Sequence, residues 1–132
     1  MSHRHRPNPA AQHIQLLHSM IRSPAWAALS GNAVKVLLDL WHYHDGRNNG
    51  QISYSCGQAG VAINASKVTG SRALKDLIQY GFVQVTREAS FRSDNARLYA
   101  LTMERIGNQP ATRDFMKLTA AELAKIVSQF HP

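Results

Sequence analysis

The chain runs to 132 residues, the size of one domain with one core, so a second, catalytic domain is not expected within it. With 44% hydrophobic and 17% charged residues it is composed like a globular protein, which argues against general disorder. Fifteen Lys and Arg against eight Asp and Glu give a formal charge of +7, which favours polyanionic partners without by itself establishing one.

No acidic residue precedes Asp39, so Arg4, Arg6, Arg22 and Lys35 are uncompensated at the start. The first residues, with His3, Arg4, His5, Arg6 and Pro7, have little apolar surface to bury and read as a basic arm, either a solvated tail or a contact to a phosphate backbone. Asn8 and Pro9 pair an N-cap with a proline at the first helical position, and Ile14, Leu17 and Ile21 recur at helical spacing, which predicts a short helix. Ser23 and Pro24 repeat that start signal, and an Ala-rich piece leads to Leu29. Ser30 then caps a helix whose core-facing stripe is Val34, Leu37, Leu38 and Trp41, ended near Asp45 and Gly46 by the turn formers of DGRNNG.

Gln51 to Tyr54 can pair as an edge strand, and Ser55 caps a brief helix to about Val61. Asn64 caps a longer helix to Tyr80, with Gly81 as the stop residue in the left-handed conformation. FVQVTRE and RLYALTM alternate apolar and polar residues at period two, and the polar stretch ASFRSDNA between them makes the pair a hairpin. After the loop-like NQPATRD, Thr119 and Glu122 form a capping box, Leu118 and Leu123 a hydrophobic staple, and Leu123, Ile126, Val127 and Phe130 an apolar stripe. The expected fold class is mainly α with a small β-hairpin wing (α+β), in three stretches: a basic arm and short helix over 1–22, the central domain over 23–105, and a loop and amphipathic helix over 106–132.

The segment SCGQAGVAINASKVTGSRALKDLIQYGFVQVTRE, Ser55 to Glu88, carries a short helix, a turn, a polar-capped helix and a glycine before a strand. It resembles the winged helix-turn-helix, here with extra N- and C-terminal helices, of MarR-type regulators and of many plasmid and phage replication or control proteins. A looser likeness from Pro24 through Lys117, including RLYALT and PATRDF, is to small helix-turn-helix proteins carried by mobile elements and phages of proteobacteria. The resemblance implies a partner, double-stranded DNA, and a role in transcriptional regulation or replication control. It leaves one alternative open, a winged-helix module that binds a protein, such as a phage-encoded inhibitor of a host nuclease or polymerase.

A helix enters the major groove when a neighbouring helix holds its angle. In the segment from Asn64 to Gly81, the expected inward set is Val68, Ser71, Leu74, Leu77 and Ile78, and the outward set is Ser66, Thr69, Arg72, Ala73 and Asp76. Arg72 leads the candidates, because its planar fork matches guanine edges and phosphate oxygens. Lys67, Thr69 and Ser66 follow near the helix start, Lys75 adds charge, and Gly70 and Ala73 are slight enough to allow close approach. Asp76 opposes DNA on that face, or pairs with Arg72 at i, i+4. The hairpin adds Arg87, Arg92 and Arg97, interrupted by Glu88 and Asp94, with Arg92 expected nearest a minor groove or flanking phosphates; each is otherwise a solubilising surface charge. A homodimer through the terminal helices would double the contacts, although packing of the C-terminal stripe on its own domain is the simpler expectation.

Enzyme chemistry is not expected. His42, His44 and Asp45 have the wrong spacing for a helical metal site, which wants i and i+4. Cys56, the single cysteine, excludes an internal disulfide and a cysteine metal cluster, and reads as a small buried residue. GQAG lacks the Lys and Ser or Thr of a phosphate-cradling loop, and no Ser, His, Asp arrangement follows from spacing, so neither a cofactor nor a metal is expected. Trp26 and Trp41 fall in apolar stripes and read as core. The start MSHRHRPNPAAQ lacks the apolar run of a signal peptide, and no stretch approaches the roughly 20 apolar residues of a membrane span, so a cytoplasmic protein with no membrane partner is expected.

Overall fold

The computed structural model of the chain describes residues 12–90 and 96–130. The expected basic arm with His3, Arg4, His5 and Arg6, the Asn8–Pro9 start signal and the hairpin residue Arg92 lie outside the described residues.

Serine caps set most of the helix starts. Ser23 accepts the amide of Trp26 at 3.2 Å and, with Pro24 at the first helical position, opens α2 (Pro24–Ala28). Its hydroxyl also donates 2.6 Å to the carbonyl of Met20, closing α1 (His18–Ile21). That first helix is a single turn: residues 12–17 are not helical, Leu17 and Ile21 are exposed, and Met20 alone is buried. The expected stripe of Ile14, Leu17 and Ile21 is corrected accordingly: the helix ends at Ile21, just before Ser23 begins the next one, but it starts only at His18, after Leu17 in extended backbone.

Ser30 accepts the amide of Ala33 and opens α3 (Gly31–Trp41). Its buried line is Ala33, Val36, Leu37, Leu40 and Trp41, so the stripe has the expected period but is turned by about one residue, with Val34 and Leu38 only half-buried. The DGRNNG turn is held by the Asp45 carboxylate, which accepts the amides of Arg47 at 2.8 Å and Asn48 at 3.0 Å. Asn49, 6% exposed, then sews this loop to the far side of the domain. Its amide accepts from Leu101 N at 2.7 Å and donates to the carbonyls of Leu101, Glu104 and Arg105 at 2.9, 3.0 and 3.2 Å.

Three short strands follow: β1 (Ile52–Ser53), β2 (Val83–Arg87) and β3 (Leu98–Leu101). They form one antiparallel sheet in the order β1-β3-β2, with Tyr99 opposite both Ile52 and Val85. A register shift between Val85 and Arg87 bulges β2, where the Thr86 hydroxyl reaches the carbonyl of Gly50. Between β1 and β2 lie α4 (Cys56–Ala62) and α5 (Lys67–Gln79). After β3, the polar loop turns back so that Arg113 N donates 2.8 Å to Thr102 O, and a 3-10 turn at Asp114–Met116 leads to α6 (Ala120–Phe130).

One hydrophobic cluster runs from Met20 to Leu123 and takes in α3, α5, the sheet, Phe115 and α6. Phe82 is its hinge point: Phe115 stacks on it at 4.9 Å and Trp26 meets it edge-on at 6.1 Å. Leu123 is buried in that cluster and Ile126 packs against it, so the C-terminal stripe serves this chain's own core. Val127 remains exposed, and the side chain of Phe130 lies outside the described residues. Among the described residues, no helix is long and apolar enough to cross a membrane.

Candidate nucleic-acid interface

The pair α4 and α5 is built by its caps. Ser55 accepts the amide of Gln58 at 3.0 Å while the Gln58 side chain accepts the amide of Ser55 at 2.9 Å, a capping box that starts α4. Asn64, expected as the cap of α5, instead closes α4: it sits at φ 54 in the left-handed region. Ala65 N bonds Gly60 O at 2.8 Å and Asn64 N bonds Val61 O at 3.1 Å, the paired bonds of a left-handed helix stop. Asparagine tolerates that conformation, which is why it takes the place of the usual glycine. The cap of α5 is Ser66, whose Oγ accepts Thr69 N at 3.2 Å and lies 3.1 Å from the Thr69 hydroxyl. The connection between the two helices is therefore only Ile63 to Ser66.

Across that turn the helices touch through glycines. A Cβ built on Gly70 would lie 2.6 Å from the Cys56 carbonyl oxygen and closer still to the amide nitrogen of Gly60. A Cβ on Gly60 would lie 2.7 Å from the Ser66 carbonyl oxygen. Gly70 is thus buried in the seam between α4 and α5 and Ala73 is buried in the core, so two of the residues expected to face DNA are corrected to packing residues.

The same observation fixes the phase of α5. Its buried line is Gly70, Ala73, Leu74 and Leu77, at i, i+3, i+4 and i+7. Val68 and Ser71, expected inside, stand on the surface, Val68 at 63% exposure. Thr69 and Asp76, expected outside, are half-buried. Arg72 and Ser66 are exposed as expected, along with Lys67 and Lys75. The outer stripe of α5 is therefore Val68, Ser71, Arg72 and Lys75, with Lys67 beside it. Every exposed residue from Asn64 to Lys75 is neutral or cationic.

Of the three hairpin arginines, Arg87 and Arg97 lie among the described residues. Arg97 is half-buried and tied down: Nε donates 2.9 Å to Glu88 Oε1 and Nη1 3.2 Å to the Tyr99 hydroxyl. Those two partners raise its pKa further, the Tyr99 bond first, and the Glu88 carboxylate cancels its charge locally. Arg87 is exposed and bridges the hairpin by donating 2.9 Å to the carbonyl of Ala96. Between α5 and the hairpin runs a groove lined by Ser71, Lys75, Gln79, Val85, Glu88 and Arg97.

Elsewhere, Trp41 is buried and its indole donates 2.9 Å to Glu104 Oε2, with His44 Nδ1 3.9 Å from the same oxygen. That carboxylate serves the chain's own donors. Gly81 adopts φ 81 and ends α5 as expected, with Phe82 N bonded to Leu77 O at 2.9 Å.

Two surface residues, Val68 and Ser71, are expected inward from the sequence: Val68 because hydropathy outweighs size in a periodicity count, and Ser71 because it shares the helical phase of Val68 and Leu74. The small residues Ala59, Gly60, Gly70 and Ala73 carry the signal that marks the true contact face. Comparison with protein-family models, with curated proteins and with solved structures finds no match to this chain.

Proposed function

We propose that the chain is a winged helix-turn-helix protein that binds double-stranded DNA, with α5 in the major groove and the β2–β3 hairpin beside it. The element order α3, β1, α4, α5, β2, β3 and the sheet order β1-β3-β2 support the winged-helix reading. The observation that carries DNA binding is the outer stripe of α5: Lys67, Arg72 and Lys75 on a helix face that displays no exposed carboxylate up to Lys75. Such a face meets phosphates with cations and leaves Arg72 able to reach a base edge. The protein acts as a regulator or replication-control factor rather than an enzyme. Its assignment to a phage, plasmid or other mobile element rests on the resemblance of Pro24 to Lys117 alone.

The test is binding to random-sequence duplex DNA over a range of salt. Affinity should fall steeply as salt rises, and each of Lys67→Ala, Arg72→Ala and Lys75→Ala should lower the slope of log affinity against log salt by about one. No binding at low salt, or slopes unchanged by all three substitutions, would overturn the reading.

A second reading, a winged-helix module that binds a protein, is favoured by one observation. Tyr43 and Val61 are exposed, Val61 at 82%, beside a shallow surface with Asp39 and Gln58 between α3 and α4. A tight complex with a protein partner through that surface, with no duplex binding, is its signature.

A further inference from the structure

Val68 is an apolar side chain on the outer face of α5. It holds the second position of α5, it is β-branched and so a poor helix former, and 63% of it is in water. Folding does not explain it, because the buried line of the helix lies on Gly70, Ala73, Leu74 and Leu77. Its neighbours by helical spacing are Ser71, Arg72 and Lys75, at i+3, i+4 and i+7, with Lys67 preceding it. An apolar spot therefore sits at the leading end of a cationic stripe, on the turn of a recognition helix that comes nearest the base edges.

A cationic surround selects a polyanion. On the floor of the major groove of B-DNA the apolar group on offer is the 5-methyl of thymine, since the other edges present hydrogen-bond donors and acceptors. We infer that Val68 is a specificity-determining residue that packs against the 5-methyl group of a thymine, so that the preferred site carries an A·T pair opposite the start of α5. This inference rests on the DNA-binding reading and adds to it which chemical group one residue reads. Arg72, one helical turn further on, then faces a neighbouring base pair or its phosphate.

The experiment selects duplexes bound by the full chain from a random library and remakes the selected duplex with deoxyuridine at each thymine in turn, which removes one methyl and keeps the base pair. At one position the wild-type chain should lose about fourfold in affinity, the value of one buried methyl group. Val68→Ala should bind the thymine duplex more weakly by a similar factor and should no longer distinguish thymine from uracil at that position. Val68 is exposed, so the variant keeps its fold, which circular dichroism verifies. Equal binding of thymine and uracil duplexes by the wild-type chain would overturn the inference while the DNA-binding reading stands. So would a uracil penalty that Val68→Ala retains, since the methyl would then be read elsewhere. A chain that selects no duplex at all would remove the DNA-binding reading and this inference with it.

Discussion

Gly60 and Gly70 meet backbone to backbone where α4 crosses α5, with a Cβ on Gly70 landing on the amide nitrogen of Gly60. No side chain separates the two helices at that point, so the depth and angle of α5 are set by main-chain contact rather than by a repackable core. The exposed stripe of α5 owes its orientation to this contact, which links a local sequence feature directly to the candidate interface.

Gly70→Ala should therefore destabilise the protein despite the better helix propensity of alanine. Overpacking against backbone costs about 1–3 kcal/mol, and the propensity gain offsets about 1 kcal/mol of it. Thermal unfolding should show a Tm lowered by several degrees. Gly31→Ala is the control: a Cβ there meets nothing within 4 Å, so stability should hold or rise by about 0.5 kcal/mol.

Asn64 and Gly81 both end helices in the left-handed conformation, at φ 54 and φ 81. Asn64→Gly should be neutral or slightly stabilising, whereas Asn64→Val should cost about 1–2 kcal/mol from backbone strain alone. Gly81→Ala should cost more than Asn64→Val, because its Cβ would also lie 2.7 Å from Phe115 N. Chemical denaturation of the three variants checks the order.

How much of this was legible follows from range. Ser23, Ser30, Ser55 and the Thr119–Glu122 box were readable because a cap is a bond between near neighbours in sequence. The phase of α3 and α5 was not. In both, a hydropathy stripe gives weight to Val34 or Val68 and none to Ala33, Gly70 or Ala73, yet small residues are where helices come closest. Asn64 and Ser66 are both good cap residues two positions apart, and only the bonds formed decide between them: Ala65 N to Gly60 O makes the first end α4, and Thr69 N to Ser66 Oγ makes the second start α5. The loss of Arg97 to Glu88 is a pairing across the hairpin, readable once the opposition of Arg87 and Leu98 is known, but not from charge counting.

Asn49 should prove the most costly polar residue to truncate. Asn49→Ala would strip Leu101 N of its partner and leave the carbonyls of Leu101, Glu104 and Arg105 without the donor they share. A loss of about 2–3 kcal/mol is expected, as for other buried groups left unsatisfied. Asn49→Asp should be at least as damaging, since a carboxylate cannot donate to those carbonyls. Urea unfolding curves measure both.

Acid should loosen the start of α6. The Thr119 amide, followed by its hydroxyl contact, holds the Glu122 carboxyl below its ordinary value of 4.5. A depressed carboxyl supports the fold above that value and loses its effect as pH falls through the depressed one. The amide signals of Thr119 and Glu122 should thus stay constant above about pH 5 and shift below it. Glu122→Gln, which keeps the reciprocal bond, should remove that pH dependence. At the other extreme, burial first and then its bond to Asp39, 2.6 Å long, push the Tyr54 hydroxyl up. Its contribution is complete below the ordinary tyrosine value of 10.0 and declines as pH climbs towards the raised one, which ultraviolet titration of Tyr54→Phe against wild type resolves.

The central claim is that the outer face of α5 meets duplex DNA. Backbone amide signals followed while a short duplex is titrated into the labelled chain test it most directly. The account predicts that the largest changes fall on Ser66 to Lys75, with smaller ones at Arg87 and its hairpin. Changes confined to Asp39, Tyr43 and Val61, or no change at all at low salt, would contradict it.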